Sequence, residues 1–107
     1  ALLDLLFNGL FADETSNALI GELWYVAERD EAVRAKLATL YQSVRDGIAD
    51  ALAREGFGKT PAIRLEAAHA LVALSYGQAS FEAIGLPSRD KGSVRAQAQS
   101  IIEALKL

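Results

Sequence analysis

The chain has 107 residues, 51% of them hydrophobic, and a formal net charge of −3, which fits one folded domain and excludes a disordered segment. Its 11 Lys and Arg residues are interleaved with 14 Asp and Glu residues. This distribution argues against direct binding of nucleic acid, because phosphate contacts need a dense cationic surface. The absence of cysteine excludes disulfides and thiolate metal sites, and no apolar run approaches the roughly 18 residues of a membrane span.

Helix-forming residues dominate the chain, with 20 Ala and 16 Leu. No segment alternates polar and apolar residues with a period of two, so we predict an all-α fold, an antiparallel bundle of about five helices. The first helical segment covers residues 1–11, where Leu6, Phe7 and Leu10 recur at helical spacing. Because the chain begins in the middle of this apolar pattern, we expect it to be part of a longer protein.

Two further helices follow, each with an acidic cap. Asp13 is predicted to cap a helix over 14–28, whose inner face contains Ile20, Leu23, Trp24 and Ala27. Asp30 is predicted to cap a third helix that runs to Glu55, with apolar residues in steps of three and four. Gly56 then supplies a left-handed stop.

The fourth helix is unusual because it is apolar on two sides. Thr60 and Pro61 predict its start, as a cap followed by proline, and it extends to about Ile84. It has no fixed charge from Ala67 to Phe81. We expect a second subunit to cover one of its two faces. A fifth helix is predicted to start near Ser88 or Asp90 and to run to the C-terminus, with an apolar stripe that contains Val94, Ala98, Ile101, Ile102 and Leu105.

No motif predicts catalysis or a metal site. Residues 56–60 end like a phosphate-binding loop, but Ala53 stands where that motif needs glycine, so we interpret them as a helix–helix turn. His69 is the only histidine, and zinc needs three or four ligands. His69 is either a core histidine with one hydrogen bond, which is the commoner arrangement, or a polar anchor in a ligand pocket.

The middle of the chain resembles the central stretch of TetR-family transcriptional regulators, in which a Leu-Trp helix ending in Arg-Asp precedes a long helix closed by a glycine turn. The residues that carry the resemblance are Leu23, Trp24, Ala27, Arg29, Asp30, Arg34, Leu37, Leu40, Tyr41, Arg45, Ile48, Leu52 and Gly56. The resemblance implies a bacterial, cytoplasmic regulator whose N-terminal helix-turn-helix domain, absent from this chain, contacts DNA. It also implies that residues 1–107 bind a small effector and form a homodimer.

On this hypothesis the chain is not an enzyme and needs no cofactor. An apolar effector is expected to contact Leu6, Phe7, Leu10, Trp24, Tyr41, Val44, His69, Val72 and Tyr76. The last two helices of each subunit are expected to form a four-helix bundle through Ile63, Ala70, Leu74, Phe81, Val94, Ile101 and Leu105. The alternative is a helical oligomerisation or protein-docking module without a ligand, which shares every helix but needs no cavity.

Overall fold

A computed structural model describes residues 14–86 and 92–106. All helical residues in these two ranges belong to α-helices. The helices are α1 (Glu14–Ala27), α2 (Glu31–Arg54), α3 (Pro61–Ala83) and α4 (Ser93–Glu103). Within these two ranges there is no β-strand, which confirms the all-α prediction. The predicted first helix over 1–11 lies outside the described residues, as do the cap Asp13 and the candidate starts Ser88 and Asp90.

The caps predicted for α2 and α3 are both present. The Asp30 carboxylate accepts hydrogen bonds from the backbone N–H groups of Ala32 and Val33, at 2.9 and 3.2 Å. The Thr60 hydroxyl accepts one from the N–H of Ile63 at 3.2 Å, and Pro61 follows it. Each cap satisfies donors that a helix start leaves without an intrahelical partner. The helix α4 begins later than predicted, at Ser93 after Gly92.

Arg34 connects the end of α1 to the first turns of α2. Its Nε donates to the carbonyl oxygen of Ala27 at 3.1 Å, and its Nη2 donates to that of Glu28 at 3.4 Å. Carbonyl groups at a helix C-terminus have no intrahelical donor, and a cation there also interacts favourably with the helix dipole. Arg34 therefore fixes the turn between the two helices and, with it, the position of the last turns of α1.

The core lies where α2, α3 and α4 meet. The helices α2 and α3 make the most extensive contact of any helix pair, α1 lies against both of them, and α4 packs on α3. The buried core consists of Ile48, Ala49, Leu52, Ala68, Leu71, Val72, Ala98 and Ile102. Fully buried alanines at 68 and 98 allow the helix backbones to approach closely, and the larger leucines at 52 and 71 fill the space between them.

The predicted inner face of α1 is correct only at its end. Ala27 is buried, but Leu23 and Trp24 keep 44% and 43% of their surfaces exposed. The side chain of Ile20 lies outside the description. Trp24 is exposed because it borders an open space between α1, α2 and α3, and this space is the candidate site.

Candidate functional site

A cavity of about 540 Å³ opens between α1, α2 and α3. Pockets that bind small molecules measure about 300–1,000 Å³ and combine apolar walls with a few polar groups. This cavity has that composition. Its walls are formed by Trp24 of α1, by Ala38, Tyr41, Gln42 and Arg45 of α2, and by His69, Val72, Ala73 and Tyr76 of α3.

Helical spacing explains why these residues share one space. The lining positions of α2 are 38, 41, 42 and 45, and those of α3 are 69, 72, 73 and 76. Both sets follow the order i, i+3, i+4, i+7, which places four side chains on one stripe of a helix. Ala38 and Ala73 provide the room, because a larger side chain at either position would project into the gap between the two stripes.

Three aromatic rings, one from each helix, form a cluster on the cavity wall. Trp24 stacks on Tyr76 with ring centroids 5.4 Å apart, and Tyr41 meets Tyr76 edge to face at 5.9 Å. Trp24 and Tyr41 lie 5.7 Å apart with tilted planes. These distances fall within the roughly 4.5–7 Å range of favourable ring pairs. The aromatic cluster of Trp24, Tyr41 and Tyr76 thus joins three helices and presents ring surface to the cavity.

Two polar atoms of the lining residues are buried away from solvent and lack hydrogen-bond partners among the described residues. They are the Tyr41 hydroxyl oxygen and the Nε of Arg45. The nearest acid to Arg45 is Asp46, whose Oδ1 lies 3.9 Å from Nε, an ion-pair distance too long for a hydrogen bond. Buried polar groups are normally paired, so these two donors require an explanation.

The environment of Tyr41 raises its pKa above the ordinary value of 10.0. Burial has the largest effect, because it disfavours the charged phenolate. The indole of Trp24 lowers the pKa in part, although its contact lacks the geometry of a hydrogen bond, and the neighbouring Tyr76 raises it further. Tyr41 therefore presents a neutral hydroxyl, able to donate a proton, at physiological pH.

The charge on the cavity wall is opposite in sign to that of the whole chain. The described lining contains one fixed cation, Arg45, and no carboxylate, whereas the chain carries a net charge of −3. Gln42 adds an amide and His69 an imidazole to the same wall. The cavity thus combines ring surface with several hydrogen-bond donors.

Five of the nine residues predicted to contact a ligand lie together on this wall: Trp24, Tyr41, His69, Val72 and Tyr76. Val44 does not line the cavity but is half-buried and packs against the core. Leu6, Phe7 and Leu10 lie outside the described residues. The interpretation of His69 as a core histidine is wrong, because its side chain is exposed at the cavity.

Sequence reasoning missed four lining residues, Ala38, Gln42, Arg45 and Ala73. It selected apolar and aromatic side chains together with His69. The missing signal was spacing: steps of three and four from Tyr41 reach positions 38 and 45, and the same steps from Tyr76 reach 73 and 69. A helix stripe includes its small and polar members as well as its apolar ones.

The residues predicted to form the dimer interface divide into two groups. Ile63, Ala70 and Phe81 of α3 are exposed. The others are half-buried in their own chain: Leu74, Val94, Ile101 and Leu105. Leu74, Ile101 and Leu105 of this group pack against the core. Within one subunit, α3 therefore offers more free apolar surface than α4 does.

The other features considered in the sequence give no phosphate or metal site among the described residues. Residues 55–60 form a turn between two helices, as predicted, with the Gly58 carbonyl oxygen accepting from Arg64 Nη1 at 3.0 Å. In the two described ranges no three His, Cys, Asp or Glu residues are grouped to hold a metal ion. The same ranges contain no helix that is both long and apolar enough to cross a membrane.

Comparisons with protein-family models, curated protein sequences and solved structures find no match to this chain. The resemblance to TetR-family regulators therefore remains a hypothesis carried by the residues that suggested it.

Proposed function

We propose that this chain is the effector-binding and dimerisation domain of a TetR-like transcriptional regulator, with the effector in the cavity between α1, α2 and α3. The cavity carries the proposal. Small-molecule sites are clefts of about 300–1,000 Å³ with mostly apolar walls and a few polar groups. An open cleft of about 540 Å³ walled by three aromatic rings fits a site of this kind.

The chemistry of the wall favours an organic molecule with a flat or apolar body. Trp24 and Tyr76 present ring surface, and Val72, a member of the core, adds aliphatic surface to the wall. Burial of apolar surface contributes about 25 cal/mol per Å², and stacking adds to it. Gln42 and His69 would orient the bound molecule through hydrogen bonds.

The position of the cavity suggests how binding would be transmitted. A ligand in this site would contact α3, and α3 also carries the exposed residues Ile63 and Phe81 on another face. If a second subunit covers that face, a ligand that prefers one placement of α3 shifts the population of dimer arrangements. In a full-length regulator the DNA-reading domains must lie about 34–36 Å apart to meet successive half-sites, so such a shift would change operator affinity.

The outer stripe of α3 supports dimerisation. It consists of Ile63, Ala70 and Phe81, which lie on one side of the helix at helical spacing and are all exposed. Ile63 and Phe81 keep 42% and 52% of their surfaces exposed, so one subunit leaves apolar surface of α3 uncovered. A second copy related by a two-fold axis would cover this stripe with its own.

The alternative, a ligand-free docking module, draws its support from the end of α3. Phe81, Ile84 and Leu86 are all exposed there, and an exposed apolar patch commonly marks a protein interface. This alternative requires no ligand, so blocking the cavity separates it from the proposal.

The test compares ligand binding by the parent with binding by a variant in which a larger side chain fills the cavity. Trp24 is the only tryptophan and lines the cavity, so its fluorescence reports occupancy without a label. We expect aromatic molecules to change Trp24 emission and to raise the melting temperature, as mass action requires. Ala38→Phe should abolish both effects, because the new ring fills the space.

The matched control is Ala35→Phe, since Ala35 is exposed on the same helix but does not line the cavity. This variant should retain binding. If no aromatic molecule changes Trp24 emission or stability, the cavity is not a ligand site. The same conclusion follows if Ala38→Phe binds as well as Ala35→Phe, and either result would favour the ligand-free docking module.

A further inference from the structure

One side of α1 is apolar and exposed but does not line the cavity. Leu19, Leu23 and Val26 keep 58%, 44% and 41% of their surfaces exposed, and together they form the α1 stripe. At about 100° per residue these positions lie within about 60° of one another, and Trp24 lies about 130° from their centre around the helix. The cavity lining includes Trp24 and none of the three. A ligand in the cavity would therefore leave the α1 stripe uncovered.

The α1 stripe continues the inward face of the helix. Ala27 lies between the stripe and Trp24 around the helix, so the apolar side of α1 is wide. The charges of Glu28 and Arg29 lie on the other side and are exposed. With α1 packed on α2 and α3, Ala27 is buried and the α1 stripe is left open. An apolar side of this width requires a further partner.

The segment that directly precedes α1 has the composition and the length to cover the α1 stripe. Residues 1–11, predicted as a helix, lie outside the described residues and contain seven Leu and Phe residues, one acid and no base. A helix of this size is about 16 Å long, and the stripe from Leu19 to Val26 spans about 10 Å. A helix this short is marginal in water without tertiary contacts, so its apolar surface requires a neighbour.

The short connection favours α1 as that neighbour. Only residues 12–13 stand between the segment and Glu14, the first residue of α1, and such short connections join antiparallel neighbouring helices. A hairpin that turns there places position 7 opposite position 19, and position 3 opposite position 23. A second copy of the chain would have to compete with a segment tethered at a roughly millimolar effective concentration.

We propose that residues 1–11 dock on the α1 stripe as the antiparallel arm of a helical hairpin, with Leu3 against Leu23 and Phe7 against Leu19. On this placement Phe7, which the sequence alone assigned to the effector, contacts α1 instead. An arm in this position packs on α1 from outside and supports the cavity wall that α1 carries. The contact is independent of the proposed function, because it forms whether or not the cavity binds an effector.

Introduced cysteine pairs report this contact directly, because the chain contains no cysteine. Leu3→Cys with Leu23→Cys, and Phe7→Cys with Leu19→Cys, place two thiols on facing positions. The control is Leu3→Cys with Tyr25→Cys, since Tyr25 is exposed on another side of α1. A disulfide requires Cα atoms within about 7 Å, so copper-phenanthroline oxidation should link both facing pairs at least about tenfold faster than the control pair. The links should form within one chain, at a rate independent of protein concentration.

The reactivity of single thiols shows whether the α1 stripe is covered without requiring a disulfide. The thiol of Leu23→Cys should react with a fluorescent maleimide at least about tenfold more slowly than that of Tyr25→Cys, because reaction requires access to the sulfur. Protection that persists when the protein is diluted identifies a cover within the same chain.

Each result supports or overturns the docking of residues 1–11. Equal rates in the facing and control pairs, or equal labelling of the two single thiols, overturn it. Disulfides that join two chains, or protection that disappears on dilution, would show that a second copy covers the α1 stripe instead. These results are separate from the ligand test, which depends on Trp24 emission and on Ala38→Phe.

Discussion

Trp24 and Tyr76 stack with their ring centroids 5.4 Å apart, and this contact joins α1 to α3 at the wall of the cavity. Tyr41 completes the aromatic cluster from α2. The rings that would meet a ligand are therefore also the rings that hold α1 against the rest of the fold. Stability and ligand affinity should consequently respond together to changes in this cluster.

Replacement of Tyr76 by leucine tests the structural part of this relationship. Tyr76→Leu keeps apolar volume but removes two ring pairs, each worth about 0.5–1.5 kcal/mol beyond the area buried. We expect the free energy of unfolding, measured by urea denaturation, to fall by about 1–3 kcal/mol.

Tyr25→Leu is the control for that substitution. Tyr25 is an exposed tyrosine on α1 whose ring contacts the Arg29 guanidinium at 4.7 Å, an interaction worth about 0.5–1 kcal/mol at an exposed site. If Tyr25→Leu destabilises the chain as much as Tyr76→Leu does, the aromatic cluster has no special role in stability.

Removal of the Tyr41 hydroxyl should have the opposite effect on stability. The hydroxyl oxygen is enclosed without a hydrogen-bond partner among the described residues, and an unsatisfied buried polar group costs about 1–3 kcal/mol. At neutral pH we expect Tyr41→Phe to increase the free energy of unfolding by up to about 1 kcal/mol, whereas Tyr25→Phe should leave it unchanged. A loss of stability in Tyr41→Phe would mean that the hydroxyl is satisfied.

The raised pKa of Tyr41 also predicts how stability depends on pH. The pKa in the folded state lies above the ordinary value of 10.0, mainly because burial disfavours the phenolate. Above pH 10 the unfolded chain therefore releases this proton more readily than the native chain, so stability falls as pH rises through the folded pKa. Denaturation midpoints above pH 10 should decline less steeply in Tyr41→Phe than in the parent or in Tyr25→Phe.

Local sequence signals predicted the helices well, because each boundary depends on one or two residues. Asp30 and Thr60 cap helices as expected, and Gly56 and Gly85 adopt the left-handed conformation where helices stop. The start of α4 was placed too early, since Gly92 offers no side-chain cap to predict it.

The site was only partly predictable for a different reason. Large aromatic residues at helical spacing indicate an inward face, and this pattern identified Trp24, Tyr41 and Tyr76. The same pattern does not show where two inward faces fail to close against each other and leave a cavity. The opening is lined by the small residues Ala38 of α2 and Ala73 of α3, and it depends on how α2 and α3 pack, which single-helix patterns do not contain. Arg45 was missed because a charged side chain carries no apolar signal that marks an inward face.

The turn between α2 and α3 allows a paired test of two glycines. Gly56 and Gly58 have φ values of +80° and +85°, a region in which other L-residues lose about 1–2 kcal/mol. A Cβ at Gly56 would meet open space, but one at Gly58 would lie 2.7 Å from Cγ of Arg64. We expect Gly56→Ala to destabilise by about 1–2 kcal/mol and Gly58→Ala by clearly more.

A double-mutant cycle isolates the steric part of that difference. In the Gly58→Ala background, Arg64→Ala should restore part of the lost stability, whereas in the parent it should only lower stability, because it removes the bond to the Gly58 carbonyl. Additive effects of the two substitutions would mean that Arg64 moves aside without cost.

The outer stripe of α3 provides the test of dimerisation. Phe81 and Ile63 are 52% and 42% exposed, and if a second copy covers them, a buried, unpaired carboxylate there would be costly. We expect the parent to have twice the mass of one chain in light scattering coupled to size-exclusion chromatography. Phe81→Glu should raise the dimer dissociation constant by at least about tenfold, or about 1.4 kcal/mol.

Leu40→Glu is the matched control, because Leu40 is an exposed apolar residue on α2 and not on the stripe of α3. It should leave the dimer intact. A monomeric parent at tens of micromolar would contradict dimerisation. Equal disruption by Leu40→Glu and Phe81→Glu would mean that the interface is not on this stripe of α3. Since the cavity lies on a different stripe of α3, an aromatic molecule that binds the parent should still bind Phe81→Glu, and a loss of binding there would mean that the site forms only in the dimer.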